Sequence, residues 1–371
     1  MIKILLTSDI HLGVSSDKMP VFTPDRIFTF KKISSLAKDH DLLLIAGDLF
    51  DSMNPDEQVI SEVAKLFAYL RKNGTTILLS PGEHEYDGSR QGSFLYRIGA
   101  DRIFDGNLLD PFEFSKDGDK VYVYGSPAKG NTSIFDIGKN SSEGFHIGLF
   151  HTDITGGEPS GAEQEVNSLP IQKLKSLELD FYALGHNHFF KLYKYQNEII
   201  GAYPGSPEAV DADETGDRYV LSLTIDNGEL TQIKRLTVNS VNVINIAADC
   251  SAHDPSSLMK LIKDHESEKN IMILTLTGER NFQLPWENAT EIAEGFRHIE
   301  IRDRSNCSLK VLIDNYSSDN SIRGEFFSKL KQEIASGSSS VDEKELSRIL
   351  AIISCNETNL PEDWLCALIH A

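Results

Sequence analysis

The sequence predicts an α/β fold in which two β-sheets pack on each other and are flanked by helices, followed by a smaller α+β cap and a helical C-terminal tail. Three observations carry that expectation. Residues 1–85 repeat a strand and helix pattern, each strand ending in acids or histidines. Residues 120–239 are richer in strands and turns. From about residue 241 strand and helix patterns alternate over a short span, and the remainder reads as helices.

The elements follow in order. Met1-Ile2-Lys3-Ile4-Leu5-Leu6-Thr7 reads as a buried strand delivering Ser8-Asp9-Ile10-His11-Leu12-Gly13 at its carboxyl end, where open α/β sheets place their chemistry. After a polar stretch through Thr23-Pro24-Asp25, residues Phe28, Phe30, Ile33, Leu36 and Ala37 recur at helical spacing. A second parallel strand over 41–46 ends in Gly47-Asp48-Leu49-Phe50-Asp51. Residues 56–73 form an amphipathic helix with Val59, Val63, Leu66, Phe67 and Leu70 inward and Gly74 as its stop. A third strand over 76–80 delivers Pro81-Gly82-Glu83-His84-Glu85.

Strands follow over 120–125 and 146–150, the latter ending at His151, then a helix over 164–177. A short strand over 181–184 ends in Gly185-His186-Asn187-His188. Residues 189–239, with Tyr203-Pro204-Gly205-Ser206-Pro207 and the hairpin signal Asp226-Asn227-Gly228, read as a second sheet packed on the first. The cap is expected as strand 241–247, helix 256–264, strand 271–277, helix 286–294 and strand 297–301. Tail helices are expected over 323–334, 343–353 and 362–369, the last two freed by the linker Ser336-Gly337-Ser338-Ser339-Ser340. The expected domains are therefore 1–240, 241–315 and 316–371.

A hydrophobic content of 40% and a charged content of 25% are those of an ordinary globular protein. The net charge of −20 argues against a basic protein that coats nucleic acid indiscriminately. It does not exclude a nucleic-acid enzyme, because carboxylates gathered around divalent cations raise the formal negative charge. Cys250, Cys307, Cys355 and Cys366 are widely spaced with no C-x-x-C pair, which suits a reducing compartment. The opening apolar run is too short for a signal peptide core, and no stretch is long enough to span a bilayer, so a cytoplasmic protein without membrane partners is expected.

The strand exits collect Asp9, His11, Asp48, Glu83, His84, His151, His186 and His188. Any one of them reads equally well as a cap on a neighbouring turn. Together, a mixed carboxylate and imidazole set of this size fits two adjacent divalent metals sharing one carboxylate, a centre suited to hydrolysing phosphoesters without a covalent intermediate.

These motifs resemble those of the calcineurin-like metallophosphoesterases, through Asp9-Ile10-His11, Gly47-Asp48-Leu49-Phe50-Asp51, Gly82-Glu83-His84-Glu85, His151 and Gly185-His186-Asn187-His188. Within that family the chain looks most like the SbcD-type DNA repair exonucleases, relatives of the nuclease subunit of the MRN complex. That likeness rests on Asp9 to Gly13, the full Gly-Asp-Leu-Phe-Asp at 47–51, Tyr182-Ala183-Leu184-Gly185-His186, Tyr203-Pro204-Gly205-Ser206 and Asp213-Glu214-Thr215-Gly216. It covers residues 1–240 well and the cap more loosely.

The resemblance implies an αββα β-sandwich. It implies one metal at Asp9, His11 and His188, a second at Glu83, His151 and His186, and Asp48 bridging both. His84 is then the acid beside the metals that protonates the leaving oxygen or steadies the phosphate. The implied metals are manganese, and the implied reaction is cleavage of DNA phosphodiesters, 3′-to-5′ exonucleolytic and partly endonucleolytic. The implied partner is an SbcC-like ATPase of the SMC type. Homodimers are common in that family, with the 56–73 helix a candidate surface.

One position departs from the pattern. The family carries Asn where this chain has Glu83, so an ionised carboxylate replaces an amide oxygen. It binds a cation at least as tightly but lowers the net positive charge available to phosphate. A working, a slowed and a metal-binding but inactive site are the three resulting expectations.

Other activities compete. A Ser/Thr phosphatase needs an Arg soon after the second motif, whereas Asp51 is followed by Ser52-Met53-Asn54. A cyclic-nucleotide phosphodiesterase would use the same ligands. A DNA enzyme calls for basic and aromatic residues along a groove between cap and metals, and Lys260, Lys263, Lys269, Arg280, Arg297, Arg302 and Arg304 are interleaved with acids. A metal-binding scaffold that recruits an ATPase would use Phe326, Phe327, Leu330, Trp364 and Leu365, which serve equally as core.

Overall fold

The structure, a computed structural model, describes residues 1–14, 23–86, 94–105, 110–128, 137–139, 143–155, 168–195, 198–284 and 289–336. The chain divides into two compact units, Met1–Asn242 and a second beginning at Val243.

The first unit opens with β1 (Ile2–Thr7), α1 (Thr23–Ala37), β2 (Leu42–Ile45), α2 (Glu57–Lys72), β3 (Thr76–Leu79) and β4 (Arg102–Ile103). There follow β5 (Phe112–Lys116), β6 (Asp119–Ser126), β7 (Phe145–His151), β8 (Asp153–Thr155), β9 (Ser168–Pro170) and α3 (Ile171–Lys175). It closes with β10 (Phe181–Gly185), β11 (Lys191–Tyr195), β12 (Glu198–Tyr203), β13 (Tyr219–Asp226) and β14 (Glu229–Thr237).

Two six-stranded sheets result, in the orders β14-β13-β1-β2-β3-β4 and β11-β12-β10-β7-β6-β5. The near-continuous apolar strands are those of a sheet covered on both faces. Leu43 and Ile45 of β2 join Phe30, Ile33, Val63, Phe67 and Leu70 beneath α1 and α2. Their neighbours Leu42 and Leu44 face the opposite way, into an interior shared with Val121, Ile147, Leu149, Phe181 and Ala183 of the other sheet. The far face of that sheet carries Tyr124, Phe150, Tyr182 and Tyr203 against Leu174 of α3. Layering is thus helix, sheet, sheet, helix. Phe67 is fully buried, so Phe67→Ala is expected to destabilise this unit by about 3–5 kcal/mol, read as a lowered urea midpoint.

The structure corrects several expectations. Residues 189–239 do not make the second sheet by themselves. β11 and β12 extend the sheet of β10 and β7, while β13 and β14 complete the first sheet, β13 running antiparallel to β1. Without that hairpin β1 would be an exposed edge. Strand period reveals a strand but not its partner. Of the helix expected over 164–177, only Ile171–Lys175 is helical; Ser168–Pro170 is a strand paired with β8, and 164–167 lie outside the described residues. Pro170 has no N–H to give a helix interior. On α1, Phe28 points outward; on α2, Ile60 is buried and Val59 and Leu66 only pack on the core's margin.

The second unit holds β15 (Asn242–Asp249), α4 (Pro255–Lys263), β16 (Ser267–Thr277), β17 (Glu279–Arg280), α5 (Ala289–Glu294), β18 (Phe296–Asp303) and β19 (Asn306–Cys307). Helices α6 (Leu309–Tyr316) and α7 (Ile322–Ser336) follow. Sheet β15-β16-β18 packs Met272, Leu274 and Leu276 on Leu258 and Ile262 of α4. Helix α4 starts with a capping box between Asp254 and Ser257.

Helix α6 is not among the expected elements, because Leu-Lys-Val-Leu-Ile has no strong helical signature. Leu309, Leu312 and Ile313 nevertheless share one face at helical spacing and bury Phe327, which is thus a core residue rather than a partner anchor. Arg280 is likewise no groove cation: it is buried, with Nε on Ser305 Oγ at 3.0 Å and Nη2 on Asp303 at 3.3 Å. Cys250 and Cys307 are free thiols. The expected helices over 343–353 and 362–369, Trp364, Leu365, Cys355 and Cys366 lie outside the described residues. Among the described residues no helix is long and apolar enough to cross a membrane.

Candidate metal centre

Strands β1, β2 and β3 run parallel, as do β6, β7, β10 and β12. Their carboxyl ends therefore open on one edge of the sandwich. Asp9 and His11 follow β1, Asp48 follows β2, Glu83 and His84 follow β3, His151 ends β7, and His186 and His188 follow β10. Backbone hydrogen bonds stitch these exits together: Asp9 N to Gly47 O at 3.0 Å, His11 N to Asp48 O at 2.9 Å, and Thr152 N to Gly185 O at 3.1 Å.

The exits are tightly bent. Asp9, His11, Asp48 and His186 all have positive φ, between 48° and 96°, a region non-glycine residues enter at a cost and keep where the surroundings over-determine them. Two glycines make room. A Cβ at Gly47 would stand 2.2 Å from His151 Nδ1, and one at Gly82 would stand 2.1 Å from Asp48 Oδ1.

The structure brings all eight residues together. Donor atoms of Asp9, His11 and His188 lie within 4.8 Å of one another, as do those of Glu83, His151 and His186. Asp48 is grouped with His11 and His84 on one side and with Asp9 and His151 on the other. Its Oδ2 is 3.2 Å from His151 Nε2 and 3.8 Å from His11 Nε2. Glu83 reaches His151 Nε2 at 3.4 Å and His186 Nδ1 at 3.1 Å, so the longer side chain is accommodated.

Hydrogen bonds at the back of the rings decide what the front presents. His11 Nδ1 donates to Asp51 Oδ1 at 2.9 Å, His188 Nδ1 to Glu214 Oε1 at 2.7 Å, and His151 Nδ1 to the Ala46 carbonyl at 2.9 Å. In the neutral rings the Nε2 lone pairs therefore point inward, where His11 and His188 face each other at 3.2 Å. Among the described residues the buried Nε2 of His151 has no hydrogen-bond partner, and it looks onto two carboxylates. Lone pairs facing lone pairs and carboxylates repel unless a cation lies among them, and three carboxylates with four imidazoles suit first-row divalent ions. The donor set fits metals.

The electrostatics show the same demand for positive charge. Burial opposes the His151 imidazolium, yet Asp48 and Glu83 raise its pKa well above the ordinary value. Burial would push Asp48 up, but His151 holds it down to about 2. Glu83, likewise against burial, is held well below the usual carboxylate range by His151 and His186. Glu83 in turn raises His186.

His84 stands at the open side. Its ring is 43% exposed, meets His11 edge to face and has Nε2 4.0 Å from Asp48 Oδ2, while its backbone N–H donates to Asp48 Oδ1 at 3.1 Å. Three supporting residues, Asp51, Glu214 and Glu85, are not among those the sequence predicts for the site. The first two tie back histidines, and only their presence inside quoted motifs could have flagged them. Glu85 is buried and accepts from Phe50 N at 2.9 Å and Gly82 N at 3.2 Å, holding two exits together. Burial, then the nearby Asp48 charge, pushes its pKa up to about 8. Beside the centre lies an open cavity of about 340 Å³ lined by Asp153, His186, Asn187, His188, Phe189, Asp211, Asp213 and Glu214.

The chain is similar to several known proteins. The uncharacterized metallophosphoesterase YhaO of Bacillus subtilis is 26% identical over 239 residues, covering 60% of this chain and 57% of that protein. The DNA double-strand break repair protein Mre11 of Methanosarcina mazei is 24% identical over 320 residues, 81% of this chain and 50% of its own length. Mre11 of Saccharolobus solfataricus is 26% identical over 304 residues, 76% of each. The chain thus spans about half the length of the first two, 57% and 50%. The family profile for calcineurin-like phosphoesterases matches residues 2–190, which contain all five strand exits. With that match over half of its length, the chain belongs to the calcineurin-like phosphoesterase family.

Proposed function

We propose that this protein is a two-metal DNA phosphodiesterase of SbcD type, acting in DNA repair as a 3′-to-5′ exonuclease with some endonuclease activity. The observation that carries the reading is the convergence of seven carboxylate and imidazole donors on one edge, with His84 over its open side. The similarity to proteins named for DNA double-strand break repair supports the substrate. Asp9, His11 and His188 would hold one cation, Glu83, His151 and His186 the other, and Asp48 both. Two divalent cations held there, manganese in this proposal, would supply Lewis-acid chemistry: a more acidic water and positive charge for the oxygens of a phosphate.

The chain's own groups do the rest. Burial of Asp9, Asp48 and His151 keeps bulk water off the ligands. The exposed His84 imidazole is the group able to meet the phosphate and give a proton to the leaving oxygen. An SbcC-like SMC-type ATPase partner, a homodimer and a cytoplasmic setting belong to the same proposal.

The test is cleavage of end-labelled duplex and single-stranded DNA with added manganese. Cleavage is expected to stop on chelation and return with manganese. A second reading, a small-molecule phosphodiesterase, is favoured by one observation: Asp153, Asp211 and Asp213 line the cavity beside the centre and repel a polyanion. Hydrolysis of cyclic nucleotides or bis(p-nitrophenyl) phosphate without DNA cleavage would move the assignment there.

A further inference from the structure

We propose that Glu214, clamped by Arg218 and Ser206, is a positioning residue that aims Nε2 of His188 into the metal-holding cluster. The inference rests on the metal-holding part of the proposed function and not on its substrate.

His188 sits on the loop after β10 with a quarter of its side chain exposed, so packing alone does not fix its ring. Glu214, 26 residues further on, is buried and divides its two oxygens between two tasks. Oε1 accepts the His188 Nδ1 proton at 2.7 Å, which turns Nε2 toward His11 Nε2. Oε2 accepts from Val210 N at 3.1 Å, from Arg218 Nη2 at 3.0 Å and from Ser206 Oγ.

Arg218, also buried, sends Nε to Ser206 O at 2.9 Å and Nη2 to the His188 carbonyl. Ser206 N donates to that same carbonyl at 3.1 Å. One buried assembly therefore grips both the backbone of His188 and the carboxylate behind its ring. Gly205 lets the segment come this close, since a Cβ there would stand 2.6 Å from His188 O.

An ion pair serving stability alone would need only the Oε2 side of Glu214. The separate Oε1 bond to the ring is what a carboxylate supporting a metal-ligating histidine makes: it fixes the tautomer and raises the basicity of the other nitrogen. This accounts for Tyr203-Pro204-Gly205-Ser206 and Asp213-Glu214-Thr215-Gly216 as one device.

The experiment uses the full chain, comparing native protein with Glu214→Gln, Glu214→Leu and Arg218→Met. Manganese affinity is read by calorimetry, and the His188 tautomer by ring ¹⁵N resonances of the metal-free protein. Native His188 is expected as the Nδ1–H tautomer. Glu214→Gln keeps an acceptor and the tautomer but loses about tenfold in manganese affinity, whereas Glu214→Leu loses the fixed tautomer and about 100-fold. Arg218→Met falls between them. Native affinity in Glu214→Gln overturns the proposal, even where Glu214→Leu fails to fold; so does native affinity with a fixed tautomer in a folded Glu214→Leu. A native chain that binds no manganese overturns it too. A native chain that binds manganese but cleaves no phosphodiester defeats the proposed function and leaves this inference standing.

Discussion

Asp48→Ala is expected to reduce the proposed manganese-dependent DNA cleavage by about 10³-fold, roughly 4 kcal/mol of transition-state stabilisation. Asp48 is the carboxylate common to both halves of the cluster, with Oδ2 within 3.2 Å of His151 Nε2 and 3.8 Å of His11 Nε2. Its removal would therefore weaken both proposed cation positions at once, where loss of an outer residue would weaken one. The backbone at 48 already has φ 48°, so the substitution adds only a small strain, on the order of 1 kcal/mol. Circular dichroism melting should stay close to native, separating lost chemistry from lost fold. Asp48→Asn retains the acceptor for His84 N and should keep the local shape but recover little activity. Activity of Asp48→Ala within tenfold of native would remove Asp48 from the centre.

Glu83→Asn is expected to act in the opposite direction, raising turnover about tenfold while weakening manganese binding. The Glu83 carboxylate lies 3.4 Å from His151 and 3.1 Å from His186, within the half-site it would share with a cation. A unit charge about 5 Å from an anionic phosphate is worth roughly 3 kcal/mol at an effective dielectric of 20. Only the share that differs between ground and transition state changes the rate, and about 1.4 kcal/mol of it is tenfold. The same carboxylate strengthens cation binding, so titration calorimetry should show a weaker site in the variant. An unchanged or lower turnover with native manganese affinity would mean that the extra charge is fully absorbed by the bound cations.

The candidate site was legible in sequence to the extent that its residues announce themselves by type at strand exits. Asp9-Ile10-His11 and His186-Asn187-His188 each follow a strand, and the two packed sheets put those ends on one edge. What the rings present to one another was not legible. The partners that set their orientation lie elsewhere in the chain: Asp51 is 40 residues from His11, and Ala46 is 105 from His151. Arg280 and Phe327 mark the other limit, since a cation and an aromatic look the same in sequence whether buried or exposed. The hairpin of β13 and β14 marks a third, because its alternation predicts strands equally well in either sheet.

Local pattern by itself thus determined the alternation of strands and helices, the buried character of β1, β2 and β3, and the residue types at their ends, since these depend on side-chain period and on chain neighbours. Only the tertiary structure decided which sheet the hairpin joins, which rings are tied back, and that the inward nitrogens face each other and two carboxylates. Those outcomes depend on hydrogen bonds between residues far apart in the chain, such as the 177 positions separating His11 from His188, and no local spacing encodes them.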